Sequence, residues 1–245
     1  MIKFRDSAAE SWLRTKSRSI LEDLGSHWRE RVQDKVADGL QRGDNPRKVG
    51  LELAGRINQG SGKREGALVE LNEVERSTVL HFEHCLRSLT EDYFNFGQRD
   101  KRHDRSMRRA LREGAKFPDE KIVLLVNRFE SKLIKQKADL IAQTEMLAAL
   151  NRSGWCAIRA AIERSGLPEQ AVTRIWDTCG DERVRPSHKA LDGQRVVGFD
   201  QHFVSPVTGA RMMYPGDQSL GAPEIELVGC RCRVRYDINW AFLLT

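Results

Sequence analysis

Near its C-terminal end the chain carries two cysteines one residue apart, Cys230 and Cys232. Well upstream lies a histidine, His188, that closes a run crowded with polar groups. The run reads Trp176-Asp177-Thr178-Cys179-Gly180-Asp181-Glu182-Arg183-Val184-Arg185-Pro186-Ser187-His188, with Leu191-Asp192-Gly193-Gln194 close behind. Three chemistries are open to these residues. Glu145, Trp176, Asp181, Arg183, Arg185, His188 and Asp192 can form a polar network that pins loops where regular ladders are few. His188, Cys230 and Cys232, joined by Cys179 or Asp181, offer the mixed nitrogen and sulfur donors that zinc prefers. The same groups also allow an acid–base site, with Glu145 or Asp181 as base, His188 as acid and Arg183 or Arg185 clamping an anion.

Spacing does not choose among them. A Cys-x-Cys pair on an extended strand separates its Cα atoms by roughly 6.6 Å, workable with a bend but unlike the Cys-x-x-Cys of a standard finger. No Gly-rich phosphate loop, nucleophile elbow or His-Glu-x-x-His is present, so no catalytic residue is assigned and no cofactor beyond zinc is suggested. His81, His84 and Cys85 share one helical stretch and read as packing or surface residues.

The elements that must position these groups follow from periodicity. Apolar residues recur every three or four positions from Phe4 to Leu40, a helical stripe that includes Trp12, Ile20, Leu24, Trp28, Val32 and Val36. Gly43-Asp44-Asn45-Pro46 ends it, and Pro46 can open a shorter helix carrying Val49, Leu53, Ala54 and Ile57. Gly60-Ser61-Gly62 is a loop. A second periodic segment runs from Ala67 to Phe96, with Val69, Val79, Phe82, Leu86, Leu89 and Tyr93 on its buried face. A third begins at Asp119, after Lys116-Phe117-Pro118, continues or bends near Asn151–Gly154, and stops at Ser165-Gly166. Beyond Pro168 short runs broken by Gly, Pro, Asp and Ser predict strands and loops. In the last strand Cys230, Cys232, Val234, Tyr236, Ile238 and Trp240 share the apolar parity, and Arg231, Arg233, Arg235 and Asp237 the wet one. The predicted fold class is α+β, an extended helical N-terminal region followed by a small strand-and-loop C-terminal module. Its segments are 1–118, a helical arm with a basic stretch, 119–166, a long helix, and 167–245, the module.

Composition sets bounds. The 245 residues are 40% hydrophobic and 31% charged, enough for a core with much wet surface. No apolar run approaches the roughly 20 residues of a membrane span, and the charged start from Met1 to Arg14 excludes a signal peptide. Five cysteines, an odd number, argue for a reducing cytoplasm rather than a disulfide framework. The net charge of +6 admits an acidic partner. It is densest from Arg99 to Lys116, where Arg99, Lys101, Arg102, Arg105, Arg108, Arg109 and Arg112 are the candidate contacts to double-stranded DNA or to a protein partner.

The order of several short motifs resembles the phage Mu F-like, or head-morphogenesis, minor capsid protein family. They are Gly62-Lys63-Arg64-Glu65-Gly66, Arg99-Asp100-Lys101-Arg102 with Asp104, and Ile141-Ala142-Gln143-Thr144-Glu145. Trp176, Asp181 to His188, Leu191-Asp192-Gly193-Gln194, Tyr214-Pro215-Gly216-Asp217 and Cys230-Arg231-Cys232 follow. The family commonly has Arg at the position of Gln143 and Phe at that of His103. The resemblance implies a low-copy minor capsid protein inside the head of a tailed phage near the portal vertex, present in the host cytoplasm during assembly. Its implied partners are the portal protein, the major capsid or scaffolding protein and packaged DNA, and its implied roles are head assembly and DNA packaging or ejection. It implies no catalytic residue. A hydrolase or nuclease acting on DNA or cell envelope at ejection, and a non-specific DNA-binding module, are the alternatives.

Overall fold

The structure, a computed structural model, describes residues 26–243. In chain order its elements are α1 (Ser26–Arg42), α2 (Pro46–Ala54), β1 (Arg56–Ile57), β2 (Arg64–Glu65), α3 (Glu73–Ser88), α4 (Asp104–Glu113), α5 (Asp119–Ser165), β3 (Val172–Asp177), α6 (Pro186–Leu191), β4 (Arg195–Val197), β5 (Phe203–Val204), β6 (Arg211–Met212), α7 (Glu224–Leu227) and β7 (Arg233–Ile238). Single 3₁₀ turns at Glu91–Asn95, Lys101–His103, Glu169–Ala171 and Trp240–Leu243 join or end them. The fold is α+β. By contacts the described residues form two units, one of 26–35 and 47–139, the other of 36–46 and 140–243. The sequence segments 1–118, 119–166 and 167–245 follow texture instead, and the two partitions differ.

Local chemistry explains most element ends. Pro46 opens α2, where its missing N–H costs nothing. Asp119 and Glu120 stand in the first turn of α5, which runs unbroken for 47 residues through Asn151–Gly154 and stops before Gly166, whose φ is +73°. Of the predicted Phe4–Leu40 helix, Ala8, Trp12, Leu13, Ile20, Leu21 and Leu24 lie outside the described residues. Val32 and Val36 are fully buried on α1.

Three expectations need correction. Ile57, expected on the short helix opened by Pro46, lies beyond the end of α2 on β1 and is exposed. The Ala67–Phe96 segment is helical only as α3, because Asn72 and Glu75 form a capping box: the Asn72 side chain accepts from the Glu75 N–H while the Glu75 carboxylate accepts from that of Asn72. Leu89, in the left-handed conformation with φ +50°, closes the other end. The last strand begins at Arg233 rather than at Cys230, so both cysteines sit in the turn before it, and Trp240 is exposed.

In the unit of 47–139, α3, α4 and the first half of α5 share a core of Phe82, Cys85, Leu86, Tyr93, Met107, Ile122, Leu125 and Phe129. Phe82 stacks on Phe129 with centroids 4.2 Å apart. In the other unit β3 is the centre of an antiparallel sheet ordered β4-β3-β7. One cluster there gathers Ile162, Leu167, Ala171, Val172 and Phe199, and a second gathers Trp176, Leu191, Val196, Phe203, Met212, Leu227, Cys230 and Cys232.

Candidate functional site

Helix α5 builds the turn that carries the cysteines. Gln143 Nε2 donates to the Gly229 carbonyl over 2.9 Å, and the Gly229 N–H donates to Thr144 Oγ1 over 2.8 Å. Gly229 has φ +66°, a conformation that costs a side chain dearly. Two turns further along α5, Asn151 Nδ2 donates to the Cys232 carbonyl over 3.0 Å and to that of Pro215 over 3.1 Å. The Cys-x-Cys turn is thus gripped at both ends by amide side chains of one helix.

Against this turn α6 sets His188, 2% exposed. Its Nδ1 lies 3.6 Å from Cys230 Sγ and 3.4 Å from Cys232 Sγ, and the three donor atoms fall within 4.8 Å of one another. The Cys232 N–H points at Cys230 Sγ, 3.5 Å away. On the far side of the ring, Glu226 Oε2 lies 2.9 Å from Nε2, in ion-pair range though not aligned as a hydrogen bond. The Glu226 carboxylate is itself held by Ser187 Oγ, donating over 2.9 Å, and Thr208 Oγ1, donating over 2.6 Å. The edge of Trp176 covers the imidazole at a centroid distance of 5.3 Å. Hydrogen bonding between the thiols, led by Cys232, lowers the pKa of Cys230, while the same contact and burial push Cys232 up. A cavity of about 20 Å³ adjoins the sulfurs and is also lined by Cys179, Arg183 and Arg185.

Around this buried centre lies an exposed ionic ring. Arg231, between the two cysteines, donates to both oxygens of Asp181 at 2.6 and 2.5 Å, which holds the Asp181 carboxyl down at about 2. Arg233 reaches Asp177 over 2.6 Å. Arg185 donates to the Val228 carbonyl, and Asp192 accepts from the Thr178 N–H over 2.9 Å. Arg183 is exposed, with its N–H on Asp181, and Glu145 is buried on α5. His188 is thus surrounded by protein, while Asp181 and Arg185 are engaged with Arg231 and a carbonyl. His188, Arg183 and Arg185 line one small cavity, but neither candidate base joins them there: Asp181 is bound to Arg231 and Glu145 is buried on α5.

The basic segment divides by burial. Arg99 turns inward, donating to both oxygens of Asp104 and to the carbonyls of Phe94 and Phe96. Arg102 is bound bidentate to Asp100, and Lys101 is exposed. Arg105, Arg108, Arg109 and Arg112 are exposed at i, i+3, i+4 and i+7 of α4, opposite the buried Met107 and Ala110. Arg109 meets Glu113 at 3.0 Å, and Arg108 lies over the ring of Phe94 at 5.1 Å.

The family model described as "Phage Mu protein F like protein" matches residues 96–235, more than half of the chain. The chain belongs to that family. Comparison with curated proteins and with solved structures found no match. As a Mu F-like protein it is a phage head-morphogenesis protein, associated with other head components of the virion, in a family that is typically structural rather than enzymatic. None of its described helices is long and apolar enough to cross a membrane.

The motifs behind the resemblance are the joints of this Mu F-like module. Gln143 and Thr144 hold the Gly229 turn. Gly216, at φ +86°, sits so close to α5 that a Cβ there would stand 2.8 Å from Ala148 Cβ. Asp217 accepts from the N–H groups of Met213 and Ser219, each over 2.9 Å. Gly193 N–H donates to the Trp176 carbonyl, and the Gln194 side chain exchanges two hydrogen bonds with the backbone of Val204. Gly62–Gly66 precedes the matched region, and there Arg64 ties the Gly55 and Ser131 carbonyls together.

Sequence reasoning missed two buried charged groups. Arg174, fully buried on β3, donates to Gly198 O over 2.7 Å, Met213 O over 2.6 Å and Gln201 O, and burial lowers its pKa. Its signal was an arginine inside the apolar Val172–Trp176 run. Glu226, buried on the one-turn helix α7, had no comparable signal.

Proposed function

We propose that this head-morphogenesis protein docks at the portal vertex inside the phage head and there turns α4 toward packaged double-stranded DNA during packaging or ejection. The observation that carries the reading is the stripe of Arg105, Arg108, Arg109 and Arg112 on one exposed helix face. Arginines one turn apart suit a row of phosphates and read no bases, as needed against DNA of any sequence. Arg99 and Arg102, spent on Asp104 and Asp100, serve the loop instead, so the contact narrows to α4 and Lys101.

Asp181, Arg185, Asp192 and Glu226 are held in internal contacts, which favours a structural part over a hydrolase or nuclease. The test pairs a portal-ring pull-down with duplex binding across a salt series. The wild-type chain is expected to bind the ring, and log affinity for duplex to fall with log salt at a slope of roughly −3.6 to −4.5, about −0.9 for each phosphate neutralised by the four α4 arginines and Lys101. Changing all four α4 arginines to Gln should flatten that slope to about −1, the share left to Lys101, while ring binding persists. Unchanged DNA affinity with lost ring binding would assign the stripe to a protein interface and refute the DNA contact. A folded wild-type chain that ignores the ring would refute the docking.

A further inference from the structure

We propose that the C-terminal module holds one zinc ion on His188 Nδ1, Cys230 Sγ and Cys232 Sγ, with Cys179 supplying the fourth donor and Glu226 orienting the histidine from the outer sphere. The geometry carries this. A tetrahedral zinc with Zn–S near 2.3 Å and Zn–N near 2.0 Å sets each nitrogen–sulfur separation at roughly 3.5 Å. The observed separations are 3.6 and 3.4 Å, from one nitrogen to both sulfurs. A thiol packed only as a small apolar group needs no such common focus.

The surroundings are those of a ligand set. The imidazole shows one nitrogen to the sulfurs and the other to a buried carboxylate, the arrangement that fixes tautomer and ring orientation at a histidine-bound metal. The carboxylate is anchored by Ser187 and Thr208, so it stays in place if the metal leaves. The Cys232 N–H aimed at Cys230 Sγ, and Arg185 in the wall of the same cavity, offset thiolate charge. Sulfur and nitrogen donors around a cavity of about 20 Å³ suit zinc and exclude the larger oxygen shells of calcium or magnesium.

Cys179 lines the same cavity, on the loop that Asp181 ties to Arg231. Its recruitment would join three segments at one point: the loop after β3, helix α6 and the turn before β7. A unit whose strands are six residues at most gains from such a knot. The role is structural closure, separate from the portal and DNA contacts proposed above.

Elemental analysis of the full chain, purified under reducing conditions without chelator, is expected to find one zinc per molecule. The Cys230→Ser/Cys232→Ser double variant should retain less than about a tenth of it, while Cys85→Ser, altering a buried thiol of the other unit, keeps it. A misfolded variant would lose metal too, so the wild-type chain refilled with cobalt(II) supplies the second readout. Its thiolate-to-cobalt absorption should be strong and should fall by roughly a third in Cys179→Ser, one thiolate of three. A folded wild-type chain with neither zinc nor the cobalt band overturns the site. An unchanged band in Cys179→Ser overturns the fourth ligand.

Discussion

Gly216→Ala isolates the contact between the Tyr214–Asp217 turn and α5. The glycine has φ +86°, a region costing an alanine roughly 1–2 kcal/mol. The new Cβ would stand 2.8 Å from Ala148 Cβ and 3.0 Å from Ala148 Cα, so helix or turn must shift, at an overpacking cost of about 1–3 kcal/mol. The sum centres at about 3.5 kcal/mol, which in a chain of this size lowers Tm by about 7–14 °C. The informative assay is a double-mutant cycle with Ala148→Gly, read by thermal and urea denaturation. Ala148→Gly alone should destabilise by about 1 kcal/mol through helix propensity. In the Gly216→Ala background it removes the closer of the two clashes, so the pair should be less destabilised than the sum by about 1 kcal/mol or more. Strict additivity, with a coupling under about 0.5 kcal/mol, would mean that the turn does not bear on the helix as described.

Arg174→Met keeps length but strips the donors from the Gly198, Met213 and Gln201 carbonyls, and unfolding titrations should show a loss of about 3–5 kcal/mol; a loss under about 1 kcal/mol would refute the role of those bonds. The hydrogen bonds from Arg102 hold the Asp100 carboxyl at about 2, below its ordinary 3.8, so its contribution is complete above pH 4 and is lost as pH falls from about 4 to 2. Asp100→Asn should therefore flatten the stability profile in that acid window and leave its slope near neutrality unchanged, as urea midpoints at successive pH values would report. The salt slope of duplex binding and the zinc content of the chain are the remaining two measurements.

The parts of the fold legible in sequence are those settled within a few residues. Pro46 and Gly166 punctuate the backbone by their own conformational limits, and the period of α5 is legible because apolar residues recur every three or four positions along it from Asp119 up to Ala149. The inward parity of Cys230 and Cys232 was legible for the same reason, though the start of the strand was not, since the Gly229 turn depends on Gln143 and Thr144 far upstream. The Asn72-x-x-Glu75 box is present in the sequence, but the apolar period runs across it and hides the helix start. What could not be read was pairing at a distance: that Glu226 would face His188, that Arg231 would clasp Asp181, or that Arg99 would turn inward to Asp104. Each is fixed by tertiary packing, and a single sequence records which charges are present, not which of them meet.

The grip of α5 on the last third of the chain also dictates an order of events during synthesis. The bonds from Gln143 to Gly229 and from Asn151 to Cys232 close loops of 86 and 81 residues, whereas α5 needs only its own neighbours. The helix can form as soon as its residues leave the ribosome. The module cannot close until Cys232 has emerged, which at roughly 5–20 residues per second takes several seconds more. Throughout that interval the face of α5 that awaits Gly216 and Gly229 is uncovered, and the nascent chain is most exposed to misassociation with its neighbours.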